Sequence, residues 1–197
     1  NALDVEHRGF DLVATSSFDV GSASSISLAL AYAFNQVEVT GQTLVNGIQP
    51  VNDGLVEDIE NNYPEHRWVL TGNWFIGERF NIMARVNYFG EHWDERGRIG
   101  DAVDPSAQID GIYYIDLEAG WQITDNFRAV LGGMNVTDEY VDVIGPPNAN
   151  RLSVGLQYPR RTVANYEGGS WYLRGILSRK TADRTVERHL AKAGEGA

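Results

Sequence analysis

Residues 25–35 read Ser-Ile-Ser-Leu-Ala-Leu-Ala-Tyr-Ala-Phe-Asn, an unbroken alternation of large apolar and small or polar side chains. Ile26, Leu28, Leu30, Tyr32 and Phe34 fall on one side of an extended chain, and Ser25, Ser27, Ala29, Ala31, Ala33 and Asn35 on the other. Period two is the pleat of a β-strand. One face calls for an apolar environment, while the opposite face is too small and too polar to be a second hydrophobic layer.

Six further stretches repeat the pattern. Phe10, Leu12, Ala14 and Phe18 form a weaker version; Trp68, Leu70, Gly72, Trp74 and Ile76 alternate with Arg67, Val69, Thr71, Asn73 and Phe75. Phe80, Ile82, Ala84, Val86 and Tyr88 follow after a tight Gly77-Glu78-Arg79 turn, then Tyr113, Ile115, Leu117, Ala119 and Trp121. Phe127, Ala129 and Leu131 come after the short Thr124-Asp125-Asn126 turn, and Trp171, Leu173, Gly175 and Leu177 close the series. The reading is therefore all-β, with about seven antiparallel meander strands. Near Gln36 the alternation changes phase, so a bulge or the end of the apolar zone is expected there.

The connections alternate short with long. Those over about 41–65, 90–111 and 140–168 are long, and acid concentrates in the first two: Asp53, Glu57, Asp58, Glu60 and Glu65, then Glu91, Asp94, Glu95, Asp101 and Asp104. Asn46-Gly47 and Asp53-Gly54 read as turns, and a brief strand at Leu152, Val154 and Leu156 is expected to project within the third. Short turns on one side and long loops on the other is the layout of an outer-membrane β-barrel wall, with tight periplasmic turns and extended extracellular loops. The aromatics fit two interfacial girdles: Trp68, Tyr88, Tyr113 and Trp171 at the long-loop ends, Trp74, Phe80, Trp121 and Phe127 at the short-turn ends. A soluble antiparallel sandwich also gives alternation and regular turns, but it would leave Arg85, Asp116, Glu118, Arg128 and Arg174 to share one compartment, which a polar lumen accommodates better.

Composition narrows the function classes. Twenty-one Gly with 5 Trp, 9 Tyr and 7 Phe suit strands and turns. No stretch approaches the roughly 18 apolar residues of a spanning helix, so any membrane crossing is by strands. A net charge of -11 argues against a nucleic-acid partner. With 0 Cys there is no thiolate nucleophile or zinc-cysteine site. His7, His66, His92 and His189 include no pair one helical turn apart, so no metal site or cofactor is expected. No Ser-His-Asp set, phosphate loop or catalytic carboxylate pair has a supporting context, and enzymatic activity is not expected.

The run 113–128, from Tyr113-Tyr114-Ile115-Asp116-Leu117-Glu118 through Asp125-Asn126-Phe127-Arg128, resembles a hairpin near the C-terminal end of TonB-dependent outer-membrane receptors. Gly132-Gly133-Met134-Asn135-Val136-Thr137-Asp138-Glu139 is similar to that family's Asn-Leu-Phe-Asp-Glu motif, with Asn135, Asp138 and Glu139 matching and Val136 and Thr137 departing. Tyr63-Pro64-Glu65-His66-Arg67-Trp68 resembles the family's proline-basic strand entry, and Asn87-Tyr88-Phe89-Gly90 its strand end.

The resemblance covers residues 1–178 and implies the C-terminal part of a plugged barrel of about 22 strands, the plug and TonB-engaging segment preceding it. The chain opens on Asn rather than Met and is expected to be a piece of something longer. Residues 179–197 form a charged tail, weakly helical over 181–193, where the family ends on an aromatic strand terminus instead.

The implied function is TonB-dependent import of a scarce ligand, an iron-siderophore chelate foremost, across the outer membrane of a Gram-negative bacterium. Lipid and TonB are the implied partners. A passive porin-like channel and a soluble β-rich binding module are the alternatives. Candidate ligand contacts are His92, Trp93 and Arg96 in one loop, Tyr158, Arg160 and Arg161 in another, and Arg85 in the lumen, where it is expected to form an ion-pair ladder with Asp116, Glu118 and Arg128. The sequon Asn135-Val136-Thr137 is read as structural.

Overall fold

The computed structural model describes residues 3–94, 107–143, 158–159 and 162–178. The strands are β1 (Leu3–Asp19), β2 (Ser24–Gln42), β3 (His66–Ile76), β4 (Phe80–Phe89), β5 (His92–Asp94), β6 (Ala107–Ile109), β7 (Ile112–Thr124), β8 (Phe127–Met134) and β9 (Ser170–Leu177), with one helix, α1 (Asp53–Asn61). Seven of them form a single open antiparallel sheet in the order β1-β2-β3-β4-β7-β8-β9, and β5 pairs with β6 in a separate ladder. The seven expected meander strands and their order are present.

Register keeps the two faces distinct across the whole sheet. Leu12 lies opposite Tyr32, Tyr32 opposite Trp68, Trp68 opposite Tyr88 and Tyr88 opposite Tyr113. Toward the other end Ile82 pairs with Ala119, Ala119 with Leu131 and Leu131 with Leu173. Every partner of an apolar residue in these rows is on the same side, as a period of two requires when no slip intervenes.

Short turns close one end. Gly21 and Gly77 adopt φ of 71° and 58°, a left-handed conformation that a side chain would oppose. At Thr124 the hydroxyl accepts from the Phe127 N–H at 3.1 Å, tightening the β7–β8 turn. Both border strands, β1 and β9, run from the long-connection end toward this short-turn end.

The long connections differ from expectation in two places. Asn46 and Gly47 form the anticipated turn, with φ of 54° and 76° and reciprocal 3.0 Å hydrogen bonds between Val45 and Ile48. Asp53-Gly54 is instead the first turn of α1, because Asn52 caps the helix by accepting from the Leu55 N–H at 2.9 Å. The phase change at Gln36 marks where β2 outruns β3: their pairing ends at Phe34–His66, and Asn35 N–H donates to the Glu65 carbonyl at 2.9 Å. The register slip comes later, opposite Asp4 and Val5. Along this overhang Glu60 of α1 accepts from the Val39 N–H at 2.8 Å, satisfying a backbone group that β3 no longer reaches. The expected strand at Leu152, Val154 and Leu156 and the tail helix over 181–193 lie outside the described residues.

The apolar face is uncovered. Leu117, at the centre of the sheet, is 40% exposed and Leu173 80%, and Phe10, Trp74, Phe80, Ile82, Trp121 and Leu131 are exposed as well. Full burial of such a side chain stabilises by roughly 1.5–3 kcal/mol, which a sandwich would collect and this sheet does not. The buried cluster sits on the opposite face at the long-connection end. There Phe89, Ile112 and Tyr114 pack under Val141 and Ala164, with Tyr158 and Val163 against them. Among the described residues no helix is long and apolar enough to cross a membrane, which leaves strand crossing open.

Candidate functional site on the polar face and loop rim

The polar face carries the charges. Arg85 and Asp116 are register partners on β4 and β7, and the guanidinium Nε lies 3.9 Å from the carboxylate. Asp116 is held more closely by neutral donors, the Asn87 amide at 3.1 Å and the Asn135 backbone N–H at 3.0 Å. Glu118 turns toward β9, accepting from the Tyr172 hydroxyl at 2.6 Å and from Arg174 Nη2 at 3.0 Å. Arg128 donates to the Asn81 amide oxygen. The anticipated ladder of Arg85, Asp116, Glu118 and Arg128 is thus present only in its first rung, and Tyr172, Arg174, Asn81 and Asn87 complete the network.

Two glycines explain this wiring. Gly132 of β8 lies between Glu118 and Tyr172 in register, and a Cβ there would collide with the Tyr172 ring. Gly120 of β7 likewise lies beside Asn81, and a Cβ there would meet both Asn81 and Arg128. Each glycine removes a side chain from the middle strand, so residues two strands apart can meet across it. Sequence reasoning missed Tyr172, Asn81 and these crossings. The signal was a glycine on the polar face at each position, legible only once the register is known.

Of the loop candidates, His92 is buried with its ring turned inward. Nδ1 lies 3.0 Å from the Gly90 carbonyl and Nε2 3.2 Å from the Thr162 hydroxyl, which also accepts from the Ala164 N–H at 3.2 Å. The arrangement is satisfied by a neutral ring: Nδ1–H donates to Gly90 and Nε2 accepts from Thr162. Burial accordingly lowers the His92 pKa below its ordinary value, the Gly90 carbonyl and the Asp94 charge opposing in part. His92 therefore joins the second connection to the third instead of facing an open mouth. Trp93 is half-buried and lines a recess of about 380 Å³ with Tyr63, Glu65, Tyr88 and Glu91. Tyr158 is half-buried and stacks on Tyr166, ring centroids 6.0 Å apart. Arg96, Arg160 and Arg161 lie outside the described residues.

The third connection folds back onto the polar face at several points. Tyr114 donates its hydroxyl to the Asn165 carbonyl, and the Asp138 carboxylate accepts from the Gly169 N–H at 2.7 Å. Asn135 is buried at φ 48°, its amide donating to the Glu139 carbonyl at 2.8 Å and accepting from the Glu139 N–H at 3.0 Å. Asp138, at φ 57°, also takes the Tyr140 hydroxyl at 3.1 Å. Asn135, Asp138 and Glu139 therefore build a turn: asparagine and aspartate tolerate left-handed backbone and bond locally. Glu139 contributes its backbone to it. Among the described residues no group of three His, Asp or Glu could hold a metal ion.

These features define an open antiparallel sheet with one exposed apolar face and one polar face partly roofed by loops. Comparison with protein-family models, with curated proteins and with solved structures finds no match.

Proposed function

We propose that this chain is wall of an outer-membrane β-barrel transporter of the TonB-dependent receptor class. It would import a scarce ligand, foremost an iron-siderophore chelate, with TonB acting through a region outside these residues. The observation that carries this is the continuous apolar face, matched in register from Phe10 to Leu173, whose side chains are exposed or half-buried and covered by nothing else among the described residues. Lipid is the medium that makes such a face favourable while the opposite face stays polar. Aromatic contacts at both ends support the same reading. Trp68, Tyr88 and Tyr113 cluster at the loop end, with Tyr88 and Tyr113 centroids 4.6 Å apart, and Phe80 stacks on Trp121 at 5.7 Å at the turn end.

The open borders require further strands to close the ring, since unpaired backbone groups are not tolerated in hydrocarbon. The test is uptake of labelled ferric siderophores by Gram-negative cells expressing the full-length protein, with and without TonB. Uptake that needs TonB supports the receptor. Solute entry that is indifferent to TonB means a passive channel. A protein that stays monomeric and folded in plain buffer, with Leu28, Trp74 and Leu117 protected, sinks the membrane reading.

A further inference from the structure

The polar face is unevenly charged. Across β3, β4, β7, β8 and β9 it carries four guanidiniums, Arg67, Arg85, Arg128 and Arg174, against two carboxylates, Asp116 and Glu118. The excess is local to these strands: β1 places Asp11 and Asp19 on the same face, so the guanidiniums gather over β3 to β9 and the other carboxylates lie at the β1 border. Both carboxylates are already engaged by neutral donors: Asp116 by Asn87 and the Asn135 N–H, Glu118 by the Tyr172 hydroxyl. Hydrogen bonds of this kind hold a carboxylate in place and spread its charge, leaving each guanidinium N–H donors to spare.

Two of the arginines converge. Arg85 Nε lies 3.9 Å from Asp116 and Arg174 Nη2 3.0 Å from Glu118, carboxylates two residues apart on the same face of β7, so both heads reach toward that strand from opposite sides. Their side chains are 43% and 54% exposed, Arg85 only loosely paired at 3.9 Å and Arg174 held by a 3.0 Å contact to Glu118 and by the Tyr172 ring, 5.7 Å from its guanidinium. The other two are turned elsewhere: Arg67 lies over the Phe89 ring at 4.8 Å, and Arg128 donates to Asn81. A pair of half-exposed guanidiniums on a rigid sheet, each sharing its carboxylate with a neutral donor, suits an anion with two or more oxygens.

We propose that the polar face of β4, β7 and β9 binds small anionic solutes bearing carboxylate or phosphate groups, with Arg85 and Arg174 as the contact pair. The site places the ligand class of the proposed transporter among anions and rests on that reading for its access from outside. It does not rest on it for its chemistry.

The test is isothermal titration of the detergent-solubilised full-length protein with succinate, inorganic phosphate and, as a neutral reference, maltose. Succinate or phosphate should bind and maltose should not. Arg85→Gln and Arg174→Gln should each weaken anion binding about tenfold, the double variant should abolish it, and Arg85→Lys should retain part. Arg8→Gln, which removes a cation paired with Glu6 on the other face, should change nothing. A strand-rich circular dichroism spectrum for each variant separates lost binding from lost folding. Flotation with liposomes, run in parallel, reports the membrane reading separately. Anion binding that is absent, or unchanged in the folded double variant, overturns the proposal even if the protein floats.

Discussion

Leu117→Arg is the most discriminating single change. Leu117 lies midway along β7 between Tyr113 and Trp121, which belong to the two aromatic rows. Four residues separate it from each, so at about 3.3 Å per residue it is roughly 13 Å along the strand from either row. With the strand tilted by about 40°, the band between the rows is about 20 Å tall, close to the apolar belt of an outer-membrane barrel, and Leu117 is at its middle. Arginine at that depth costs about 2–4 kcal/mol, which lowers the folding equilibrium by roughly thirty-fold to nearly a thousand-fold. Leu177→Arg, at the turn end beside Phe127, should cost at most about 1 kcal/mol. Urea titration of the full-length protein in phospholipid vesicles, followed by tryptophan fluorescence, measures both. In water neither substitution would cost as much as arginine at the bilayer midplane, since Leu117 is 40% and Leu177 80% exposed. Equal small effects in vesicles would therefore refute a lipid-facing assignment of this face.

Asn135→Ala should destabilise by about 2–4 kcal/mol, since it loses the paired bonds to Glu139 and puts a Cβ-only side chain at φ 48°, whereas Asn135→Gly should recover the conformational part; thermal melts compare them. Gly132→Ala should cost about 1–3 kcal/mol by driving Tyr172 off Glu118, and Tyr172→Phe only about 0.5–1.5, again by denaturant titration. For His92 the folded state holds the proton less tightly than the unfolded chain, so between the ordinary value of 6.5 and the lowered folded value the unfolded state binds more protons. The contribution of His92 is thus full above pH 6.5 and declines as pH falls through that window, and the protection of the Ala164 amide, taken relative to its intrinsic exchange rate at each pH, should fall from pH 7.5 to pH 5. His92→Gln should remove this acid dependence, at a cost of about 1–3 kcal/mol in local protection at neutral pH.

The seven strands of the large sheet were legible because each repeats apolar residues at period two, from three on β8 to five on β2, and nothing in a helix reproduces that spacing. The β2 stripe from Ile26 to Phe34 suffices by itself. Helix α1 was not, because its nine residues offer only Leu55, Val56 and Ile59 as an apolar stripe and the local Asp53-Gly54 pair mimics a turn; the Asn52 cap marks its start. Arg85 with Asp116 could be anticipated from adjacent strands. Glu118 with Tyr172 could not, since the contact spans two strands and depends on the bare floor at Gly132. His92 sits in a run of charge, Glu91-His92-Trp93-Asp94-Glu95, that reads as solvated loop. Its burial comes from Thr162, 70 residues away, which no local pattern encodes.

The shared polarity of the two border strands has a consequence for assembly. A hairpin adds two strands and returns the chain to the side it left, so a border pair of equal polarity reflects an odd count, here the seven strands from β1 to β9. A second copy standing the same way up would offer its β1 to this β9 as a parallel neighbour. An all-antiparallel ring cannot be made that way, by two copies or by three. Were the sheet to close into an antiparallel barrel, its complement would need borders of the opposite polarity and therefore its own odd number of strands, so copies of this sheet alone could not serve as the staves.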